Sequence, residues 1–192
     1  MRRLADELRI RHFMQSLGAV ARAEARLYFT GGATAVLLGW RSSTIDVVIC
    51  LVPELDSLLR ALPRIKEELE LNIELASPAD FIPALPGWED RSRFVGREGM
   101  ISFFHFDLYA QALAKIERSH SQDIADVSAM LNGGLVDRKE LTKHFNTIFP
   151  NLYQYPAIDP ASFRLAVDQV VGAPKSRRAC RSFAAAPPGV LT

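Results

Sequence analysis

Tyr28 to Ile49 reads YFTGGATAVLLGWRSSTIDVVI, and several local signals follow one another within it. Leu27 to Thr30 is a short β-prone run that stops at Gly31-Gly32. Ala33 to Leu38 has the composition of a stubby helix, closed by Gly39. Thirteen residues separate Gly32 from Asp46, which opens most of the strongest strand signal in the chain, Ile45 to Val52. Its β-branched density predicts burial on both faces. A glycine pair between strand and helix lets backbone N–H groups approach phosphate oxygens, with the helix start adding positive potential. An aspartate on a neighbouring strand is suited to holding the Mg²⁺ that bridges such phosphates.

Outward from this stretch the chain alternates elements. Residues 3–26 contain no proline and one glycine, and Leu4, Leu8, Phe13, Leu17, Val20 and Ala21 recur at helical steps. Pro53 is expected to open a helix reaching about Leu69 on a stripe of Leu55, Leu58, Leu59, Leu62 and Ile65, with Pro63 kinking it or marking a junction. Leu71 to Leu75 reads as a strand, Ser77 to Phe81 as a turn or short helix, and Pro83 to Asp90 as irregular. Phe94 to Gly99 and Met100 to Phe106 form a candidate hairpin. Asp107 to Arg118, Ser121 to Leu131, Asp137 to Phe149 and Pro160 to Val171 then read as helices. The expectation is an α+β protein: a mixed sheet with flanking helices over residues 1–106, then a small helical bundle over 107–171. Residues 172–192 lack periodicity and read as a disordered tail.

Composition narrows the function classes. A net charge of +1 over 192 residues supplies no global attraction to nucleic acid or to anionic membranes. Cys50 and Cys180 stand too far apart in sequence to read as a disulfide framework or zinc motif. The charged residues Asp6, Glu7, Arg9 and Arg11 near the start do not read as a signal peptide, and no apolar run is long enough for a membrane span. A cytoplasmic setting without membrane contact is expected.

A second constellation lies downstream. Lys115 follows Leu108 by seven residues, which on a helix puts the two within about 20° of each other. A lysine in line with an apolar face either reaches into a site or snorkels, its stem covering core surface. Asp123 and Asp126 share a helix face and can bridge to Lys115 and Arg118 as structure, or join a site.

With these residues in hand, the chain resembles the nucleotidyltransferase (polymerase-beta-like) superfamily. That signature is a Gly-Gly or Gly-Ser turn, about ten residues, then Asp-hydrophobic-Asp. Arg41, Ser43 and Thr44 before Asp46 resemble the small bacterial branch of abortive-infection AbiEii-type toxins and minimal nucleotidyltransferase antitoxins. Lys115, Arg118, Asp123 and Asp126 resemble that branch's downstream helices. The resemblance implies a nucleotide at Gly31, Gly32, Thr34, Arg41 and Thr44. It implies Mg²⁺ or Mn²⁺ at Asp46 and Glu74, with Asp46, Glu74 and Lys115 as the catalytic set. A nucleoside triphosphate would give its nucleotide to a protein or RNA acceptor, a cognate toxin or antitoxin among the candidate partners. The sequence departs from the pattern at Val48, where the second carboxylate is expected. An impaired module acting through a partner protein is the alternative reading.

Other candidates carry less information. His12, His105, His120 and His144 show no ligand spacing. Asp107 is expected to cap its helix. Trp88 and Phe94 could stack on a base, with packing under a loop the favoured role. Arg91, Arg93 and Arg97 form a small basic cluster that reads as a solvated edge before an RNA contact.

Overall fold

The computed structural model describes residues 4–173. Asp6 caps the first helix, α1 (Glu7–Val20), its side chain accepting the Arg9 N–H at 2.9 Å. Ile10, Phe13, Met14 and Leu17 fill one arc of α1 and are buried, as steps of three and four require. Leu4 and Leu8, expected in that stripe, are 57% and 69% exposed. Leu4 precedes the cap, and Leu8 is rotated about 140° from Phe13.

Five strands follow: β1 (Ala25–Thr30), β2 (Asp46–Val52), β3 (Asn72–Leu75), β4 (Arg93–Glu98) and β5 (Ile101–His105). They form one mixed sheet in the order β3-β2-β1-β5-β4. β1 pairs antiparallel with β2 and parallel with β5; β3 runs parallel to β2, and β4 and β5 make the expected hairpin. The short helix α2 (Gly31–Leu37) leaves β1 directly, so the glycine pair lies in its first turn. Helix α3 (Asp56–Glu68) carries the chain from β2 to β3. Pro53 does not open it: the Val52–Pro53 bond is cis, and the helix begins three residues later. Pro63 sits inside α3, which continues through it. The segment expected to be irregular holds a short helix, α4 (Trp88–Arg91).

The sheet separates two apolar cores. On one face α1 and α3 pack over Val47, Ile49 and Leu51 of β2. On the other lie α5 (Leu108–Arg118), α6 (Ser121–Asn132), α7 (Arg138–Ile148) and α8 (Pro160–Gly172). This core takes Tyr28 from β1 and Ile82 and Leu85 from the loop after β3. β2 is therefore not equally buried on both faces: Asp46, Val48, Cys50 and Val52 are only half-buried, Asp46 and Val48 because they line an open cleft. Asp107 caps α5, accepting the Tyr109 N–H at 3.0 Å. No helix among the described residues is long and apolar enough to cross a membrane. From residue 174 onward the expected disordered tail lies outside the described residues.

Candidate active site

A cleft of about 400 Å³ opens where the bend between β1 and α2 meets β2, β3 and the start of the helical part. Gly31 sits at φ +56°, a left-handed conformation that glycine adopts without strain. Gly32 is required for a different reason. A Cβ there would stand 2.7 Å from the Cβ of Thr44 and closer still to its Oγ1. Thr44 in turn donates to the Asp46 carbonyl at 3.1 Å and is held by backbone bonds in both directions with Ala5. The lead-in to β2 thus packs directly on the glycine bend.

The bend is pinned from behind. Gln111, buried on α5, accepts the Gly31 N–H through Oε1 at 2.8 Å. Its Nε2 donates to the Phe106 carbonyl at 2.8 Å and lies 3.3 Å from Thr34 Oγ1. Thr34 is fully buried, donates to the Phe29 carbonyl at 2.9 Å, and does not line the cleft. His105 approaches the same hydroxyl at 3.4 Å. Burial, with repulsion from Arg93 second, pushes its imidazole down to about 4, so it is neutral near pH 7.

Two carboxylates face the cleft from the sheet. In the parallel register Asp46 stands opposite Asn72, and Val48 opposite Glu74. Asn72 Nδ2 donates to Asp46 Oδ1 at 2.5 Å and lies 3.2 Å from Glu74 Oε1. The two carboxylates therefore share one amide group between them. Val48 lines the cleft beside them.

On the opposite wall is an ion network. Lys115 Nζ, with its side chain almost fully buried, donates to Asp123 Oδ1 at 2.8 Å and Asp126 Oδ2 at 2.6 Å. It does not snorkel to solvent; two carboxylates draw it inward. Asp126, 1% exposed, also takes Arg41 Nε at 2.8 Å, Arg41 Nη2 at 2.6 Å and Trp40 Nε1 at 3.2 Å. Both its oxygens are thereby satisfied, which a buried carboxylate requires. Arg118 Nη2 reaches Asp123 Oδ1 at 3.0 Å. Burial raises the Asp123 carboxyl, but the Lys115 hydrogen bond and charge, reinforced by Arg118, outweigh it and leave it below its ordinary value. Arg41, Lys115 and Arg118 share Asp123 and Asp126, so this wall carries one positive charge in excess.

Of the residues singled out from the sequence, Gly31, Gly32, Arg41, Thr44, Asp46, Glu74, Lys115, Arg118 and Asp123 line this one cleft. Thr34 and Asp126 stand behind it. Trp88 stacks on Phe106 at 4.2 Å and meets Tyr28 edge-on at 4.9 Å, so it is packing, not a base platform. Phe94 is exposed, outside the cleft, and edge-on to Phe104. The arginine cluster also lies outside: Arg91 clamps the buried Asp107 at 2.6 Å, and Arg97 pairs with Glu24 at 2.9 Å. Asn72, Gln111 and Phe81 were missed. Asn72 is two residues from Glu74 and shares its strand face, and Gln111 precedes Lys115 by one helical turn; both signals were readable.

Residues 9–156 match the model of a family described as nucleotidyltransferase of unknown function (DUF6036). The chain belongs to that family. No curated protein and no solved structure matches it. For a nucleotidyltransferase the fit of a divalent cation to the cleft is a matter of donor chemistry. Among the described residues no group of three or more His, Cys, Asp or Glu side chains is placed to hold a metal ion. Mg²⁺, however, is commonly held by one or two carboxylates together with substrate phosphates and water. Asp46 and Glu74 fit that donor set, provided the phosphates bring the remaining oxygens.

Proposed function

We propose that this nucleotidyltransferase binds a magnesium–nucleoside triphosphate in the cleft and passes its nucleotidyl group to a hydroxyl of a protein or RNA acceptor. The observation that carries the reading is the pairing of Asp46 and Glu74 on one amide, in the same cleft as the Gly31-Gly32 bend. Asp46 and Glu74 would hold the cation, which supplies neutralisation of phosphate charge when bound. Gly32 and the first turn of α2 present backbone to the phosphates, while Gln111 keeps Gly31 in its left-handed conformation. Arg41, Lys115 and Arg118 give the facing wall its positive excess, which favours the triphosphate and the departing pyrophosphate. The acceptor oxygen bonds to the α-phosphorus as the bond to pyrophosphate breaks, and the hydroxyl proton leaves to solvent.

The AbiEii-like features at Arg41, Ser43 and Thr44 support an acceptor or partner drawn from a toxin–antitoxin pair. A cytoplasmic setting, where nucleoside triphosphates are plentiful, belongs to the same proposal. The test is transfer of label from α-labelled ATP or CTP, with Mg²⁺ or Mn²⁺, to protein or RNA. The expected result is transfer by the native chain and loss of it in Asp46→Ala. Absence of both transfer and magnesium-dependent nucleotide binding would overturn the reading.

Val48 favours a second reading, a nucleotide-binding module with impaired chemistry that acts through a partner protein. It lines the cleft opposite Glu74, where another carboxylate would complete the cation's ligands. Transfer that appears only in Val48→Asp would decide for it.

A further inference from the structure

The ion network and the paired carboxylates account for the phosphate end of the cleft, but one lining residue has a different chemistry. Phe81 is 38% exposed, and among the described residues it is the one exposed large apolar side chain that lines the cleft. An aromatic ring partly open to water at the edge of a charged cleft offers a face on which a flat group can stack.

Its position is built. Phe81 closes the 3₁₀ turn Pro78–Asp80, which follows β3 and therefore Glu74 within a few residues. Asp80 Oδ2 accepts the Ser77 N–H at 2.6 Å, fixing the start of the turn. The Tyr155 hydroxyl donates to the Ala79 carbonyl at 2.8 Å, tying the turn to the helical part. Arg118 lies over the Phe81 ring, its Cζ 5.3 Å from the centroid, and its Nη2 is held edgewise by Asp123. A guanidinium gripped at its edge and backed by an aromatic ring keeps its plane fixed, and such a plane stacks well on heteroaromatic rings.

We propose that Phe81 and Arg118 form the nucleobase platform of the cleft, taking the flat heteroaromatic base of a nucleoside triphosphate. The proposal rests on the nucleotide reading above and deepens it. The cleft volume of about 400 Å³ lies within the range of small-molecule sites. Asp46, Glu74, Arg41 and Lys115 serve the phosphates, while Arg118, besides adding its charge, lends the plane of its guanidinium with the Phe81 ring to the base. Gln122 and His120 line the same cleft and offer polar edges to it. Because every base has a π-face, stacking of this kind tolerates different bases.

Calorimetric titration of the full chain with ATP and with inorganic triphosphate, each in Mg²⁺, tests the platform. The native chain is expected to bind ATP more tightly than triphosphate. Phe81→Ala should weaken ATP binding about ten- to a hundredfold while leaving triphosphate binding unchanged, and Phe81→Trp should retain ATP binding. Unchanged ATP affinity in Phe81→Ala overturns the platform. So does equal affinity of the native chain for ATP and triphosphate, although the cleft then still binds phosphates and the nucleotidyltransferase reading stands. Binding of neither ligand by the native chain overturns that reading and the platform with it.

Discussion

Gly32 and Thr44 are in such close contact that position 32 has no room for a side chain: the two Cβ atoms would be 2.7 Å apart. Gly32→Ala must therefore push the β2 lead-in away from the bend. Overpacking of this kind costs about 1–3 kcal/mol, and it should lower the melting temperature measured by circular dichroism. Thr44→Ala in the same chain removes Oγ1 but not Cβ, so it should recover only part of the loss. Full stability in Gly32→Ala alone would show that the bend yields freely.

Gln111 satisfies a glycine N–H and a carbonyl from two separate segments, Gly31 and Phe106. Gln111→Ala leaves the buried Phe106 carbonyl without that partner, at about 1–3 kcal/mol, and turns the Gly31 N–H over to the open cleft. Gln111→Glu retains the acceptor for Gly31 but buries a carboxylate against the Phe106 carbonyl, and should be no more stable than the alanine variant. Urea denaturation measures the order of the three.

The Lys115 network should be strongly non-additive. Removing the ammonium in Lys115→Met leaves one arginine on each carboxylate, Arg118 on Asp123 and Arg41 on Asp126, so the loss should be that of the missing charged hydrogen bonds, about 1.5–3 kcal/mol. Adding Asp126→Asn breaks a Lys115 contact that is already gone, so the double variant should lose less than the sum of the two single losses. Asp123 has a lowered carboxyl value when folded. Its contribution is therefore full above the ordinary carboxylate range and is lost as pH falls through the lowered value. Asp123→Asn should flatten the acid limb of a stability–pH curve.

His105 produces pH dependence at a higher window. Its value falls from 6.5 to about 4 on folding, chiefly through burial. Between those values the unfolded chain binds more protons than the folded one, so stability drops as pH falls from 6.5 towards 4 and levels off below. The full drop is on the order of 3 kcal/mol. His105→Asn should remove most of this slope, read from urea midpoints across pH 4–7.

Much of the cleft could be read from local pattern. The β1–glycine–α2 turn and the hydrophobic strand opened by Asp46 are short-range features, and steps of three, four and seven placed Lys115, Asp123 and Asp126 on usable faces. What escaped was long-range. That Asn72 faces Asp46 depends on the β2–β3 register, and that Gln111 meets Gly31 depends on how α5 lies on the sheet. Trp88 is the opposite case: packing is the role its sequence setting favours, and it packs against Phe106 and Tyr28. Leu4 and Leu8 were assigned to the core by spacing alone, although the cap at Asp6 sets where the helix and its phase begin.

The two carboxylates stand on unequal footings. Asp46 opens an interior strand that is paired on both flanks from Val48 onward, whereas Glu74 rides a four-residue strand at the rim of the sheet with one strand neighbour. Amide exchange should accordingly release β3 before β2. One jaw of the cleft is thus anchored and the other compliant, so whatever steadies that rim tightens the grip on a ligand without touching it.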